Sequence, residues 1–219
     1  MRAMILAAGR GERMRPLTNT ISKAMLEVNG RPLIQYQVEY LVQAGIREIV
    51  INHAIFGDQI ENYLGDGHNF NANISYSAEM EPLETGGGIY KALPLLGDDP
   101  FIAINADVWT DFPLQQLPID PDGHAHLVLV DNPPHHPAGD FALEQGRVRN
   151  KGNRQYTFSG IGVYRRELFS DCVGSVFPLV SVLRPAISDS LVCGEYYAGN
   201  WIDVGTPERL EALRKQLNK

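Results

Sequence analysis

Cysteine and positive charge are both scarce in this sequence. Only Cys172 and Cys193 occur among 219 residues, and their spacing matches no metal-binding pair. A disulfide framework is therefore excluded, and a reducing cytoplasm is the expected location. Aspartate and glutamate outnumber lysine and arginine by 26 to 19, so the net charge is −7. Because nucleic acids and acidic membranes attract proteins with a positive field, we expect no broad binding to either.

The sequence also lacks long apolar runs and two standard nucleotide-binding motifs. No segment approaches the length of a membrane span, and the first residues do not resemble a secretory leader. The Gly-Lys-Ser/Thr end of a P-loop is absent, and Met14 stands where a dinucleotide fingerprint needs its third glycine. An ordinary ATPase and a hydride-transfer enzyme are both disfavoured.

What the chain does have is a regular alternation of strand-like and helix-like blocks. Short apolar runs predict buried strands at 3–8, 48–53, 73–78 and 101–106. Helical spacing of apolar residues predicts intervening helices at 33–44, 58–64 and 87–96. This order predicts an α/β fold of the Rossmann-like type, with a mostly parallel mixed sheet and helices on both faces. We expect a single domain over residues 1–219, because no linker or repeat interrupts the chain.

The rhythm changes in the second half of the chain. Strands are predicted at 126–130 and 156–164, separated by a proline-rich loop and a hairpin-like stretch. Segment 131–155 is therefore expected to form an insertion or lid beside the main sheet. The final helix has clear start signals, with Thr206 as the N-cap and Pro207 in the first helical position.

The stretch LAAGRGERMRPLT follows the first predicted strand and is rich in glycine and arginine. Ligands of parallel sheets bind beyond the carboxyl ends of the strands, which is where Gly9, Gly11 and Arg13 fall. These residues are typical of a solvated turn, but also of an anion cradle in which backbone N–H groups approach a phosphate. Lys23 adds a further positive charge nearby, and the residues alone leave both alternatives open.

Two aspartates and a glycine run are further candidates for a site. Asp107 directly follows a predicted buried strand, and Asp203 lies between two apolar residues, so each is either a turn cap or a ligand of a hard divalent cation. Spacing alone does not show whether the fold brings them together. The ETGGG segment at 84–88 is either a mobile loop or a place where the backbone approaches a base or sugar.

Taken together, these pieces resemble the sugar-1-phosphate nucleotidyltransferases, and the similarity covers essentially the whole chain. LAAGRGERMRPLT resembles the glycine-rich signature loop of that family, and Lys23 matches its downstream lysine. Asp107 and Asp203 match its two metal-binding aspartates. The resemblance implies the nucleotidyltransferase fold of the GT-A-like type. Some relatives carry a carboxyl-terminal β-helix, but no hexapeptide repeat occurs here, so none is expected.

The resemblance also implies substrates and a cofactor. UTP and a sugar 1-phosphate are the expected substrates, with Mg²⁺ as the cofactor. The segments ETGGG, NADVWTD and WIDVGT are closest to the members that transfer UMP to N-acetylmuramate 1-phosphate. Two alternatives stay open: another hexose 1-phosphate as the acceptor, or a nucleotide-sugar-binding regulator without catalysis. A monomer or weak dimer is expected.

The matched motifs assign roles to individual residues. The implied catalytic residues are Arg13, Lys23 and Asp107. The implied nucleotide-binding residues are Ala8, Gly9, Gly11, Glu12, Arg13, Lys23, Glu84, Gly86 and Asn105. The implied sugar-phosphate residues are Asp140, Ser159, Gly160 and Trp201. The implied metal ligands are Asp107 and Asp203.

The chain departs from the family pattern at two places. Ser22 and Ala24 flank Lys23 where the family usually has proline, so the lysine loop is expected to be less constrained. Ala106 stands before Asp107 where the family often has glycine, which adds a methyl group close to the ligand. Neither departure removes a charged group.

Overall fold

Strands and helices alternate through most of the chain in this computed structural model, which describes residues 1–173 and 176–218. The thirteen described strands are β1 Arg2–Leu6, β2 Glu27–Val28, β3 Arg31–Pro32, β4 Glu48–His53, β5 Asn73–Ala78, β6 Phe101–Asn105, β7 Val108–Thr110, β8 Ala125–Val130, β9 Phe141–Glu144, β10 Arg147–Arg149, β11 Gln155–Tyr164, β12 Val192–Tyr197 and β13 Trp201–Asp203. The five described α-helices are α1 Leu33–Gln43, α2 Gly57–Leu64, α3 Glu84–Leu96, α4 Val180–Ser188 and α5 Pro207–Leu217.

Nine of the strands form one mixed sheet in the order β5-β4-β1-β6-β11-β8-β12-β10-β9. The four strands from the first half of the chain, β5, β4, β1 and β6, pair in parallel. β11 then joins β6 in the antiparallel direction, and antiparallel pairs predominate from there on. The predicted mixed sheet is confirmed, with its parallel part concentrated in the first half of the chain.

Helices cover both faces of the sheet, as predicted. Alternate residues of β1 point to opposite sides, so that Ile5 packs with Leu41 of α1 while Met4 belongs to the cluster around Leu93 of α3. Strands that are buried on both faces need continuous apolar runs, which explains the short apolar runs in the first half of the sequence. None of the helices in the described ranges has both the length and the apolarity needed to cross a membrane.

The glycine run corrects one prediction. The sequence indicates a turn before a helix that begins at residue 87, but α3 begins at Glu84 and includes Gly86 and Gly88. A Cβ atom added to Gly86 would lie 2.5 Å from the ring of Phe177, and one added to Gly88 would lie 2.6 Å from Nδ2 of Asn52. Close packing therefore requires glycine here, although glycine weakens a helix by about 1 kcal/mol relative to alanine.

The hairpin within 131–155 is part of the main sheet rather than a unit beside it. β9 and β10 pair with each other, β10 pairs with β12, and β9 also pairs with β11. Gln145 and Gly146 connect the two strands with positive φ angles of 50° and 76°, as a tight hairpin turn requires. Residues 131–140 contain neither helix nor strand, and their role as a lid stays a prediction.

Helix α5 closes the fold at the end of the described chain. The side chain of Thr206 accepts a hydrogen bond from the backbone N–H of Arg209, and Pro207 takes the first helical position. Leu210 and Leu213 are buried in a cluster with Met14, which lies in the glycine-rich loop. Both predicted start signals are confirmed. Through the cluster with Met14, the helix packs against the glycine-rich loop.

Candidate active site

A cavity of about 330 Å³ opens at the carboxyl ends of β1 and β6. Three parts of the chain form most of its wall: the loop after β1, the loop after β6 and the start of α3. The two loops that follow parallel strands meet at one edge of the sheet, as the strand order predicts. The implied site residues on this wall are Ala8, Gly9, Gly11, Glu12, Arg13, Lys23, Glu84, Asn105 and Asp107.

Gly11 is held in place by packing. Its φ angle of 62° lies in the left-handed region, where residues with a side chain are strained. An added Cβ atom would lie 3.0 Å from Cγ2 of Thr18 and 3.1 Å from Cβ of Lys23. The hydroxyl of Thr18 donates a 2.7 Å hydrogen bond to the carbonyl of Gly11. The glycine therefore shapes the loop and brings Lys23 close to it.

Gly9 differs from Gly11, because the fold itself does not require glycine there. A Cβ atom added to Gly9 would have no neighbouring atom within 4 Å, and its φ angle lies outside the left-handed range. The residue lines the cavity. A glycine with free space around it at such a place is consistent with close approach of a ligand to the backbone.

Lys23 is positioned by a loop that α2 holds. Gln59 of α2 accepts a 2.9 Å hydrogen bond from the backbone N–H of Ser22 and donates a 2.8 Å bond to the carbonyl of Thr20. The sequence pattern does not predict this contact. The two hydrogen bonds of Gln59 constrain the loop in which Ser22 and Ala24 replace the prolines of the family. Lys23 then forms an ion pair with Asp107.

The two candidate metal ligands are brought together by a short two-stranded ribbon. β7 pairs with β13 so that Asp203 lies opposite Val108, the residue after Asp107. The backbone N–H of Val204 also donates a 2.7 Å hydrogen bond to the carbonyl of Asp107. The fold therefore makes neighbours of two aspartates that lie far apart in the sequence.

Each of these aspartates is paired with a cation of the protein. Asp107 pairs with Lys23, and Asp203 pairs with Arg209. Nε2 of His135 lies 3.1 Å from Oδ1 of Asp203. Within the described ranges, no group of three or more histidine, cysteine, aspartate or glutamate residues forms a metal site. Two carboxylates nevertheless suit Mg²⁺, which is usually bound by one or two carboxylates together with substrate phosphates.

A buried polar network supports the wall formed by the start of α3. Asn52, at the end of β4, accepts a 2.9 Å hydrogen bond from the backbone N–H of Ala7 and donates a 2.7 Å bond to Glu79. Glu79 in turn accepts a 2.8 Å bond from the backbone N–H of Leu83. Both side chains are buried. They were detectable in the sequence as polar residues at or just after the ends of predicted strands, the signal that selects Asp107.

Gly86 does not line the cavity. It is buried in α3, packed against the ring and carbonyl of Phe177. Glu84 and Thr85, at the start of the same helix, do line the cavity. Glu84 has a positive φ angle of 59°, an unusual conformation for a residue with a side chain. The first two residues of the ETGGG segment thus form part of the cavity wall, and its glycines allow close packing of the helix.

The four implied sugar-phosphate residues are not among those that line the cavity. Ser159 and Gly160 belong to β11, and Asp140 and Trp201 are hydrogen-bonded to that strand. Gly160 packs against Asn105, since an added Cβ atom would lie 2.5 Å from its Nδ2 atom. Ser159 is only 1% exposed, and its carbonyl accepts a 2.9 Å bond from Nε1 of Trp201. Asp140 accepts a 2.8 Å bond from the backbone N–H of Phe158. Packing and hydrogen bonds thus hold all four residues in place, and their contact with a sugar stays a prediction.

Asp111 fixes the turn that leads into β13. It accepts hydrogen bonds from the hydroxyl of Tyr197 and from the backbone and side chain of Asn200, the latter two at 2.8 and 2.6 Å. Burial raises the pKa of Asp111, but these hydrogen bonds outweigh it and hold the pKa below its ordinary value. Because the turn precedes Trp201, the carboxylate also helps to place Asp203.

A glycine-rich loop, a lysine and two neighbouring aspartates at the carboxyl edge of a mixed sheet define an α/β enzyme that handles phosphorylated ligands. The chain belongs to the nucleotidyl transferase family, whose sequence profile matches residues 2–143. The implied family membership and the predicted fold are thereby confirmed.

Known relatives match over nearly the full chain. The N-acetylmuramate alpha-1-phosphate uridylyltransferase of Neisseria meningitidis serogroup B is 51% identical, with 96% of each chain covered. The enzyme of the same name from Caulobacter vibrioides is 32% identical, covering 98% of this chain and 96% of its own. A crystal structure of a putative glucose-1-phosphate thymidylyltransferase from Bacillus anthracis superposes with a TM-score of 0.86 at 19% identity, covering 99% of this chain and 94% of its own. At that identity, the last comparison supports the fold alone.

Proposed function

We propose that this protein transfers UMP from UTP to N-acetylmuramate 1-phosphate, forming UDP-N-acetylmuramate and pyrophosphate. The observation that carries the proposal is the meeting of the glycine-rich loop, Lys23 and Asp107 around one cavity. The 51% identity to an enzyme of that name supports the choice of substrates. Such a reaction belongs to the recycling of cell-wall sugars in the cytoplasm.

In the proposed reaction, an oxygen of the sugar phosphate attacks the α-phosphorus of UTP in line. A new P–O bond forms as the bond between the α-phosphorus and the bridging oxygen breaks, and pyrophosphate leaves with the electron pair. The attacking phosphate is already ionised near neutral pH, so no general base is needed. Catalysis then depends on positioning two polyanions and offsetting their mutual repulsion.

The residues of the cavity suit this task. The backbone around Gly9 and Gly11 would approach the phosphates of UTP, since glycine leaves the N–H groups accessible there. Arg13 and Lys23 would meet the charge that develops on the leaving pyrophosphate. Glu84 and Asn105 would contact the nucleotide from the opposite parts of the wall, with Ala8 and Glu12 beside the loop.

Mg²⁺ fits the pair formed by Asp107 and Asp203. Both offer hard carboxylate oxygens, and the β7–β13 ribbon holds their backbones together. When bound, the metal ion would offset phosphate charge and polarise the phosphate under attack. The side chain of Lys23, which pairs with Asp107, would then be free to bind phosphate oxygens.

The sugar would bind beside Asn105, along the edge formed by Gly160, Trp201 and Asp140. The side chain of Ser159 is buried, so this residue would act through its backbone. The loop at 131–140 would cover this side as a lid.

The test is a substrate panel with the purified protein and Mg²⁺. Pyrophosphate release is measured for the four nucleoside triphosphates, each paired with N-acetylmuramate, glucose or mannose 1-phosphate. We expect kcat/KM for UTP with N-acetylmuramate 1-phosphate to exceed that of every other pair by about 100-fold. A preference for another pair would correct the substrates. UTP binding without turnover of any pair would instead favour a regulator.

The two glycines of the loop give a matched pair of variants. Gly9→Ala should leave the melting temperature within about 2 °C of the wild type, because no atom obstructs the new methyl group. It should raise the KM for UTP by about tenfold or more, because the methyl group projects into space that the phosphates need.

Gly11→Ala, unlike Gly9→Ala, should destabilise the protein. A left-handed residue with a side chain costs about 1 to 2 kcal/mol, so the melting temperature should fall by several degrees. Thermal unfolding and the KM for UTP are measured for both variants. A normal KM in the Gly9→Ala variant would show that the phosphates do not pass this residue.

A further inference from the structure

We propose that Arg209 is a phosphate-binding residue of the active site. In the free protein it rests on Asp203, and it turns to the phosphate of the acceptor sugar when a divalent cation occupies that aspartate. The inference rests on the proposed function and adds a residue that the sequence motifs do not assign.

Arg209 is held at the border of the cavity. It lies in the first turn of α5, and its guanidinium group donates to Oδ2 of Asp203. The side chain is 17% exposed. Its Nη2 atom would lie only 2.0 Å from a Cβ atom added to Gly205, a residue that itself lines the cavity. The glycine thus leaves room for the guanidinium group to cross the chain beside the cavity.

A second arginine approaches the same glycine. Nη2 of Arg13 would lie 3.3 Å from the added Cβ atom of Gly205, so two guanidinium groups converge there. Arg209 has the carboxylate of Asp203, whereas no carboxylate of the described ranges forms an ion pair with Arg13. Two guanidinium groups with one counter-charge leave a net positive charge beside the cavity, and their forked donors match phosphate oxygens well.

The position of Arg209 indicates which phosphate it takes. Arg13 and Lys23 belong to the loops after β1, which the proposed mechanism places on the nucleotide. Arg209 instead contacts His135, which belongs to the loop at 131–140 on the sugar side. Arg209 is therefore placed to bind the phosphate of the sugar 1-phosphate.

The ion pair with Asp203 couples this role to the metal. A carboxylate that is shared with a guanidinium group attracts a divalent cation less strongly than a free one. A cation bound at Asp203 in turn releases Arg209 for the acceptor. Metal and sugar phosphate should therefore bind with positive coupling, which acts equally in both directions.

The experiment uses Arg209→Met, with Lys215→Met as a control that removes one positive charge from an exposed position of the same helix. Mn²⁺ binding to the substrate-free protein is followed by electron paramagnetic resonance. We expect Arg209→Met to bind Mn²⁺ at least about threefold more tightly than the wild type. The KM for N-acetylmuramate 1-phosphate should rise by about tenfold or more, while the KM for UTP changes less than about twofold.

A second variant separates charge from geometry. Arg209→Lys keeps the positive charge but loses the forked donors, so it should bind Mn²⁺ like the wild type and still show a raised KM for the acceptor. Unchanged or weaker Mn²⁺ binding in Arg209→Met would overturn the inference. Equally tight Mn²⁺ binding in Lys215→Met, or an increase in KM that is confined to UTP, would also overturn it. A wild-type protein without any turnover would refute the proposed function, whereas the Mn²⁺ titration would still decide the exchange at Asp203.

Discussion

Replacing Asp107 with alanine should lower kcat by about 10³-fold while the protein stays folded. The carboxylate is 30% exposed, and its ion-pair partner is the side chain of Lys23. The contact that matters to the fold is the hydrogen bond from Val204 to the carbonyl of Asp107, which the substitution leaves in place. The expected loss is therefore confined to metal binding and to the placement of Lys23.

Pyrophosphate release and thermal unfolding are measured together. Asp98→Ala serves as the control, because this aspartate is 92% exposed and pairs with the surface residue Arg166. It removes the same charge and should leave kcat unchanged. Normal turnover in Asp107→Ala would mean that the metal ligands have been assigned wrongly. A large fall in melting temperature would mean that the aspartate is a structural cap.

Replacing Asn52 with alanine should lower the free energy of unfolding by about 3 kcal/mol. The side chain is only 2% exposed and connects the backbone of Ala7 to the carboxylate of Glu79. Its loss leaves one buried donor and one buried charged acceptor without their partner. Such orphaned groups pay the desolvation cost without the compensating hydrogen bond.

Urea denaturation measures this loss. Asn73→Ala is the matched control, because its side chain bonds to Glu48 at the surface and its removal should cost less than about 0.5 kcal/mol. A loss below about 1 kcal/mol in Asn52→Ala would show that water replaces the amide. The KM for UTP should also rise, since Ala7 leads into the glycine-rich loop.

The general plan of the fold and the edge that carries the site follow from the sequence. The strands at 48–53 and 73–78 are predicted with their observed ends, because apolar runs bounded by polar residues mark them clearly. The strand order then places Arg13 and Asp107 at one edge. These features depend on local composition and on a general rule for parallel sheets, so a single sequence suffices.

The contacts that hold the site together could not be predicted in this way. The two hydrogen bonds of Gln59 to the lysine loop, and the one between Asn52 and Glu79, join segments that no local pattern connects. The same holds for Arg209, which looks from the sequence like any arginine on a surface helix. Partners of this kind are decided by tertiary structure.

The glycine run shows why local propensity failed in one element. Glycine disfavours helices, so ETGGG indicates a loop. The intimate packing of α3 against Phe177 and Asn52 admits no larger residue at Gly86 and Gly88, and this packing outweighs the backbone preference. Glycines in the first turns of a helix are thus a sign of close neighbours.

The hairpin β9–β10 has a mechanical consequence for the sugar side of the site. Since β9 bonds both to β10 and back to β11, the strands β11, β8, β12, β10 and β9 form a closed circuit. No strand of a closed circuit can slide past its neighbours without breaking two ladders at once. Amide hydrogen exchange should be slow throughout this circuit and faster in β5, the open edge at the other end of the sheet. Adaptation to a different acceptor would then fall to the loops, because the framework beneath them resists shear.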